Sequence, residues 1–300
     1  MALESRQTTL ASLKVFKVFI HELLTFERSP RVPEPDLVMD RPEQVEAYSK
    51  AGAEGGTMAP VYLFHTAQIS HVIRPGDQVV DLACGSANQL AQVARLNPDC
   101  HFLGVDLSPR MLDRARALVK EQGLRNCEFK LADITDLSFL ADSHADAVTS
   151  TLAFHHLPDA KLLQASFKEA ARILKPGGGV YFADLGHLHA ESSIDYFGHQ
   201  YADRQPEIFT EDYLNSLRAA FSMSDFKQAA QVFGQRVKVL STFLVPYMMV
   251  VKTANRRPSD QQLSVALRGL RQSMPAYHQT DLQDLILFFR AGGLASPYFN

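Results

Sequence analysis

The chain has 300 residues, 46% of them hydrophobic, and a formal net charge of −3, so it can bury a large core as one domain with additions or as two small domains. The balanced charge, without a run rich in lysine and arginine, excludes an obvious track for nucleic acid. Three cysteines without metal-pair spacing favour a reducing cytoplasm, and no apolar run reaches membrane-spanning length, so neither a nucleic acid nor a membrane is expected as a partner.

Residues 1–74 are predicted to form a helical segment that includes a lid. An apolar stripe predicts an amphipathic helix over residues 8–26, whose apolar face is expected to pack on the core or across a dimer. Pro30, Pro33 and Pro35 predict an extended connector after it. Residues 43–73 favour two further helices, split by the glycine-rich stretch 52–56.

The chain from residue 78 to residue 106 has the pattern of a βαβ unit. Residues 78–82 are an apolar run that predicts a buried parallel strand, and the small residues after it predict a tight turn into a helix that begins near Gln89. A second strand ends at Asp106. An acid at that position can accept hydrogen bonds from ribose hydroxyls. The stretch therefore predicts a nucleoside pocket between Asp81 and Asp106.

The turn in this unit differs from a dinucleotide fingerprint. The three glycine positions of G-x-G-x-x-G hold Gly85, Ala87 and Leu90, so only the first glycine is present. The segment from Asp81 to Ala87 instead resembles the first motif of the class I, Rossmann-like S-adenosylmethionine-dependent methyltransferases, D-x-G/A-C/x-G-x-G/A. The L-K-P-G-G turn at residues 174–178 is similar to another motif of that family, and the resemblance extends over residues 77–252.

The resemblance implies an α/β fold, with a doubly wound, mostly parallel seven-stranded sheet, a terminal β-hairpin and extra N- and C-terminal helices. Residues 75–252 are the expected cofactor-binding domain, with a substrate-side insertion at 186–212 and the hairpin at 237–242 and 245–252. Residues 253–300 are the expected helical extension, with helices at 263–270 and 282–289. The apolar stripe of the last helix must be covered by the chain itself or by a second subunit, so a homodimer through the terminal helices is an alternative.

The resemblance also implies the cofactor S-adenosyl-L-methionine, which is released as S-adenosyl-L-homocysteine. In that family the loop holds the amino-acid tail, the acid that matches Asp106 holds the ribose, and the acid that matches Asp133 accepts from the adenine N6. Met111 lies where it can contact the purine, although a buried methionine more often fills the core. The expected cofactor-binding residues are Asp81, Ala83, Gly85, Asn88, Asp106, Leu107, Met111, Asp133, Ile134 and Thr151.

The segment after the predicted fourth strand, which covers residues 145–152, faces the transferred methyl group in the same family. Histidine titrates near neutral pH, so His155 or His156 can take a proton from the acceptor; the alternative is that a histidine here only orients the loop. Phe154 is an aromatic candidate for lining the path of the methyl group. Asp184 belongs to the rim at the end of the fifth strand. The expected catalytic residues are His155, His156 and Asp184.

Substrate choice is expected to depend on the N-terminal segment, the insertion and the C-terminal helices. Residues 190–209 lack clear periodicity and predict a lid or specificity loop, and Met58 and His65 are further lid candidates. A metal at His187 and His189 is not expected, because further ligands would be needed and no cysteine lies near them in sequence. The expected substrate-side residues are Tyr48, Tyr62, Phe154, His187 and Tyr196.

The function that follows from the resemblance is transfer of a methyl group from S-adenosylmethionine to an O, N, S or C atom of a small molecule by in-line displacement. Two alternatives remain at this stage. One is a nicotinamide-dependent oxidoreductase on the same sheet, and the other is a non-catalytic protein that binds the cofactor and acts through protein contacts.

Overall fold

The computed structural model describes residues 18–25 and 29–299. Within that part of the chain, seven strands form one sheet in the order β3-β2-β1-β4-β5-β7-β6. Neighbouring strands from β3 to β5 are parallel, and β7 is antiparallel to both β5 and β6. This confirms the predicted sheet and its terminal hairpin. The strands are β1 (Gln78–Leu82), β2 (His101–Asp106), β3 (Cys127–Leu131), β4 (Ala145–Thr151), β5 (Leu174–Leu185), β6 (Val237–Ser241) and β7 (Met248–Thr253).

The strand order reverses direction at β1. The chain passes outward from β1 to β2 and β3, then returns to β4 on the other side of β1. In an open parallel sheet, ligands bind outside the carboxyl ends of the strands at such a reversal. The ends of β1, β2 and β4, at Leu82, Asp106 and Thr151, are therefore the edge where a site is expected.

Helices cover both faces of the sheet, and four of the described helices begin at a residue whose side chain caps the helix. The side chain of Ser108 accepts a hydrogen bond from the Met111 N–H, and the Asp159 carboxylate accepts from Lys161 and Leu162 at the start of another helix. Residues 18–24 are also helical, whereas residues 8–17 and 26 of the predicted amphipathic helix lie outside the described residues. The helices are Pro42–Ala51, Ala59–Val72, Asn88–Leu96, Pro109–Glu121, Ala160–Ile173, Glu191–Gly198, Glu207–Ala219, Met223–Ala230, Gln261–Ser273 and Ala276–Ala291, with 3₁₀ turns at Phe154–His156 and Gln231–Arg236.

The helix Ala59–Val72 is buried on all sides, because the sheet covers one side and the C-terminal helix Ala276–Ala291 covers the other. Phe64 and Phe289 stack at the centre of this contact, with ring centroids 4.8 Å apart. The apolar stripe of the last helix is thus covered by the chain itself. The terminal segments share one core with the sheet, and the stripe gives no reason to expect a dimer.

The predicted loop over residues 190–209 is partly wrong, because Glu191–Gly198 is a helix. Ile194 of this helix packs with Leu185 and Leu217 in a small cluster beside the sheet, and this long-range packing gives the segment its helical form. Among the described helices, none is both long and apolar enough to cross a membrane.

Candidate active site

A cavity lies at the carboxyl ends of β1, β2 and β3, between the sheet and the N-terminal connector. We refer to it as the strand-tip cavity. The walls come from the ends of these strands, from the residues after β4 and from the connector. The lining residues are Leu37, Val38, Met39, Tyr48, Ala83, Gly85, Asp106, Leu107, Ser108, Met111, Asp133, Ile134, Thr135, Leu152, Ala153, His156, Leu157 and Leu162.

The turn after β1 leaves its backbone close to this cavity. Ala83, Gly85 and Ala87 have φ angles of 51°, 55° and 61°, so the chain enters the left-handed region at every second residue. Such angles are unstrained for glycine and costly for larger side chains. A Cβ built on Gly85 would lie 3.5 Å from the Tyr48 ring. The small residues therefore keep the space between the turn and Tyr48 open.

Asp106 is held in place by the backbone around it. One carboxylate oxygen accepts from the Gly85 N–H at 2.7 Å, and the other accepts from the Ser108 N–H at 2.8 Å. Each oxygen retains a further lone pair for a ligand. Burial raises the pKa of this carboxyl, although the two N–H donors act in the opposite direction. Asp133 lies in the same wall, where it accepts from the N–H and hydroxyl of Thr135 through one oxygen.

Three residues that were predicted to bind the cofactor do not line the strand-tip cavity. Asp81 is buried beneath the turn, where it accepts a 2.6 Å hydrogen bond from the Thr149 hydroxyl; burial raises its pKa to about 6. The Asn88 amide donates to Ser49 and Ser86 at the edge of a separate cavity. Thr151 has a buried hydroxyl without a partner among the described residues. Seven of the ten predicted residues lie in the cavity wall.

A second cavity adjoins the first and has mainly apolar and aromatic walls. We refer to it as the aromatic cavity. Met39, Tyr48, Leu152 and His156 line both cavities, so these four side chains mark the place where the two meet. The other lining residues of the aromatic cavity are Thr57, Met58, Val61, His155, Leu185, Tyr201, Gln205, Phe209, Asp212, Tyr213, Ser216, Tyr247 and Met248.

The two histidines after β4 lie at this junction, at the polar end of the aromatic cavity. His155 Nδ1 is 2.6 Å from Oδ1 of Asp184, and the other carboxylate oxygen, Oδ2, accepts from the His155 backbone N–H at 2.9 Å. Although burial lowers the pKa of His155, the Asp184 carboxylate more than compensates and raises it. Burial and the neighbouring His155 lower the pKa of His156 well below its usual value. The Nδ1 of His156 lies 4.0 Å from the carboxylate of Glu34.

Several predicted substrate-side residues lie elsewhere. Phe154 is fully buried among Phe167, Phe182 and Phe226, so the prediction that it lines the methyl path is wrong. The Tyr62 side chain is buried, and its contact with the site is indirect: its hydroxyl oxygen lies 3.2 Å from the hydroxyl oxygen of Tyr48, which lines both cavities.

The remaining predicted positions are separated from the junction of the two cavities. His187 is bonded to the Ser29 carbonyl. His65 is buried against the Tyr181 hydroxyl. Tyr196 lines a third cavity beside the C-terminal helix. Tyr48 and Met58 do line the aromatic cavity.

The connector at residues 31–40 crosses the site, a feature that the sequence did not reveal. We refer to it as the strap. Arg31 anchors one end to the turn that carries the histidines, and Asp40 anchors the other by accepting from the Ser108 hydroxyl at 2.8 Å. Between these anchors, Leu37, Val38 and Met39 line the strand-tip cavity. Proline spacing predicted an extended connector, but nothing in its sequence indicated which surface it would cross.

Comparison with known sequences finds a family model that matches part of this chain. Residues 79–178 match the family described as a methyltransferase domain. Over 112 residues the chain is 34% identical to an arsenite methyltransferase of Halobacterium salinarum, covering 37% of this chain and 28% of the relative. It is 25% identical to a ubiquinone biosynthesis O-methyltransferase of Acinetobacter baylyi over 154 residues, covering 51% and 63% of the two proteins. The chain therefore spans less than two thirds of the length of each of these relatives.

Solved structures show the same fold. A SAM-dependent methyltransferase from Aquifex aeolicus aligns with a TM-score of 0.52 and 16% identity, covering 72% of this chain and 98% of that chain. An O-methyltransferase family protein from Burkholderia thailandensis aligns with a TM-score of 0.51 and 19% identity, covering 71% and 60%. At this identity the similarity concerns the fold alone.

Proposed function

We propose that this chain is a class I, Rossmann-like methyltransferase that depends on S-adenosylmethionine and methylates a small-molecule acceptor, since its residues 79–178 match a methyltransferase domain. The observation that supports the proposal most strongly is the pair of adjoining cavities. One lies at the strand ends and carries the acids suited to a nucleoside, and the other has aromatic walls and meets it at Met39, Tyr48, Leu152 and His156.

The strand-tip cavity has the groups that S-adenosylmethionine requires. Asp106 has free lone pairs for the ribose hydroxyls, and the uncrowded backbone at Ala83 and Gly85 leaves room for the amino-acid tail. Leu107, Met111 and Ile134 provide an apolar slot for the adenine, next to Asp133. The bound cofactor supplies an electrophilic methyl group. Asp81 supports this site from below, as a residue that positions the turn.

The aromatic cavity is the proposed acceptor site. An acceptor there would meet the methyl group at the junction, in the space between Tyr48 and His156. Holding two reactants in line can account for several kcal/mol of a reaction barrier. The strap and the aromatic walls line the space that the reactants would fill, and water displaced from it on binding would strengthen the electrostatic interactions there. The relatives named above act on arsenite and in ubiquinone biosynthesis, which is in keeping with a small acceptor.

We assign His155 and His156 to the reacting end of the acceptor. The Nδ1 of His155 is held by Asp184, so its ring can present only Nε2 to the cavity. Asp184 is 1% exposed and does not line either cavity, so it acts through His155 and is a positioning residue. Tyr48, Met58 and Tyr247 provide the apolar surface that orients the acceptor.

The direct test is binding of S-adenosylhomocysteine by calorimetry, followed by transfer of a labelled methyl group to a metabolite extract. We expect saturable binding with one site per chain, no binding of NAD, and a labelled small molecule that is absent when the protein is omitted. Absence of heat with both S-adenosylmethionine and S-adenosylhomocysteine on folded protein would refute the proposal. NAD binding would instead support an oxidoreductase. Cofactor binding with no labelled product from any extract would favour the non-catalytic alternative.

A further inference from the structure

We infer that Glu34, His155 and His156 form a binding site for one divalent transition-metal ion of the Zn²⁺ type, at the polar end of the aromatic cavity. Each residue offers one ligand atom, and these atoms all lie within 4.8 Å of one another. Two imidazoles and one carboxylate are a recurrent ligand set for Zn²⁺ at catalytic sites. Glu34 belongs to the strap, and the histidines belong to the turn after β4.

The surroundings of His156 and Glu34 support the binding of an ion between them. The Nδ1 of His156 is buried and has no hydrogen-bond partner among the described residues. The carboxylate of Glu34 lies 4.0 Å from this nitrogen, and the Glu34 side chain is only 8% exposed. A buried imidazole nitrogen without a partner is destabilising. An ion between the two groups would give the His156 nitrogen a partner and the Glu34 carboxylate a positive charge to face.

Neighbouring side chains orient the proposed ligand residues by hydrogen bonds, as is usual around protein-bound metal ions. His155 Nδ1 is bonded to Asp184, which leaves Nε2 as the free nitrogen; a carboxylate behind a ligating histidine is a common arrangement around zinc. The Ser216 hydroxyl donates to Glu34 Oε1 at 2.7 Å and so orients the carboxylate. Metal–ligand bonds of about 2.0–2.2 Å require the three atoms to move closer together than they are here. Glu34 can make this movement because its segment is neither helix nor strand.

Three protein ligands leave a fourth position, which faces the aromatic cavity because His155 and His156 line it. The chemical role of the ion rests on the proposed function, whereas its binding does not. A hydroxyl or thiol of the acceptor would bind the ion through its oxygen or sulfur and release its proton to water. Its lone pair then forms the bond to the methyl carbon, while the carbon–sulfur bond of the sulfonium breaks and returns its electron pair to sulfur. No oxidant or reductant is needed.

The test uses the full chain without a histidine tag. Co²⁺ and Zn²⁺ are titrated into chelator-treated protein, with calorimetry for both ions and visible absorption for Co²⁺. We expect binding of one ion per chain and d–d absorption bands of a low-coordinate Co²⁺ site. Glu34→Gln and His156→Ala are expected to abolish tight binding, and Asp184→Asn to weaken it roughly 10–100-fold. His144→Ala is the matched control, since His144 is exposed and remote from both cavities.

Circular dichroism on the same samples shows that each variant is folded, and binding of S-adenosylhomocysteine by the unaltered chain separates this inference from the proposed function. The inference is overturned if the ions bind only in the millimolar range, or if folded Glu34→Gln and His156→Ala bind them as the unaltered chain does. In that case the methyltransferase proposal stands, and the histidines act without a metal. If the unaltered chain binds the metal ion but does not bind S-adenosylhomocysteine, the proposed function is refuted and the metal site is not.

Discussion

Replacement of Arg31 by lysine tests how the strap holds the turn that carries the histidines. The guanidinium donates to the carbonyls of Ala219 at 2.7 Å, Pro158 at 2.6 Å, Leu157 at 2.6 Å and His155 at 3.1 Å. It also lies over the Phe221 ring, 3.9 Å from the centroid. Lysine keeps the charge, but its single ammonium group cannot reach carbonyls on opposite sides of a planar fork.

We expect Arg31→Lys to lose about two of these four hydrogen bonds. At about 1.5 kcal/mol for each bond that involves a charged group, the free energy of unfolding falls by about 3 kcal/mol. For a chain of this size that corresponds to a decrease of about 6 °C in Tm. The turn with His155 and His156 is also released, and a small misplacement of reacting groups can reduce turnover by as much as about 100-fold.

The assays are urea and thermal unfolding followed by circular dichroism, together with the rate of methyl transfer once an acceptor is known. Arg116→Lys is the matched control, because Arg116 is exposed and, among the residues that the structure describes, forms an ion pair only with Asp113 on its own helix. The control is expected to unfold within about 0.5 kcal/mol of the unaltered chain. If Arg31→Lys behaves like the control in both unfolding assays, the strap is not held by this side chain, and the reasoning is wrong.

Three further predictions concern binding, pH and packing. Asp106→Asn should weaken S-adenosylhomocysteine binding by about 1.5–3 kcal/mol in calorimetry, because an amide cannot accept from both backbone N–H groups and the ribose; unchanged affinity would exclude a ribose contact. Burial lowers the pKa of His65 from 6.5 to about 3, so its neutral form stabilises the fold above pH 6.5 and this stability is lost as the pH falls from 6.5 toward 3. In His65→Gln the glutamine keeps a hydrogen-bond partner for Tyr181 but does not titrate. Between pH 6.5 and 3 the plot of unfolding free energy against pH should therefore be less steep by about 1.4 kcal/mol per pH unit, and an unchanged slope would contradict this account. Phe289→Ala should lower the free energy of unfolding in urea by about 3–5 kcal/mol, because the ring is fully buried. Leu287→Ala, on the exposed side of the same helix, should change it by less than about 0.5 kcal/mol, and equal effects would mean that the terminal helix does not pack as described.

The parts of the site that could be predicted are those made by short, contiguous patterns. The apolar run before Asp81 and the small residues through Ala87 indicated a strand, a tight turn and a helix, and the acid at Asp106 marked the end of the next strand. In a parallel sheet these features determine which ends meet at one edge. That is why seven of the ten expected cofactor residues line the strand-tip cavity.

The errors have a common physical origin. Asp81 and Asp106 each lie near the end of a strand, so their sequence positions look equivalent. The Thr149 hydroxyl on the neighbouring strand holds Asp81 beneath the turn, whereas the backbone N–H of the turn holds Asp106 at the cavity. Phe154 precedes the two histidines, but its ring points into the aromatic core behind them. Whether a side chain near a strand end faces a ligand or the core depends on its neighbours across the sheet, which are distant in sequence.

The sequence alone thus determined the sheet and the order of the acids at its edge, because each depends on residues close together along the chain. Only the tertiary structure decided which surface the strap crosses, where the aromatic cavity lies, and that Glu34 comes to within 4.0 Å of His156 across 122 positions of the chain. Contacts of this kind depend on how separate helices, strands and loops pack against one another, and that packing depends on side-chain shapes that are far apart in the sequence.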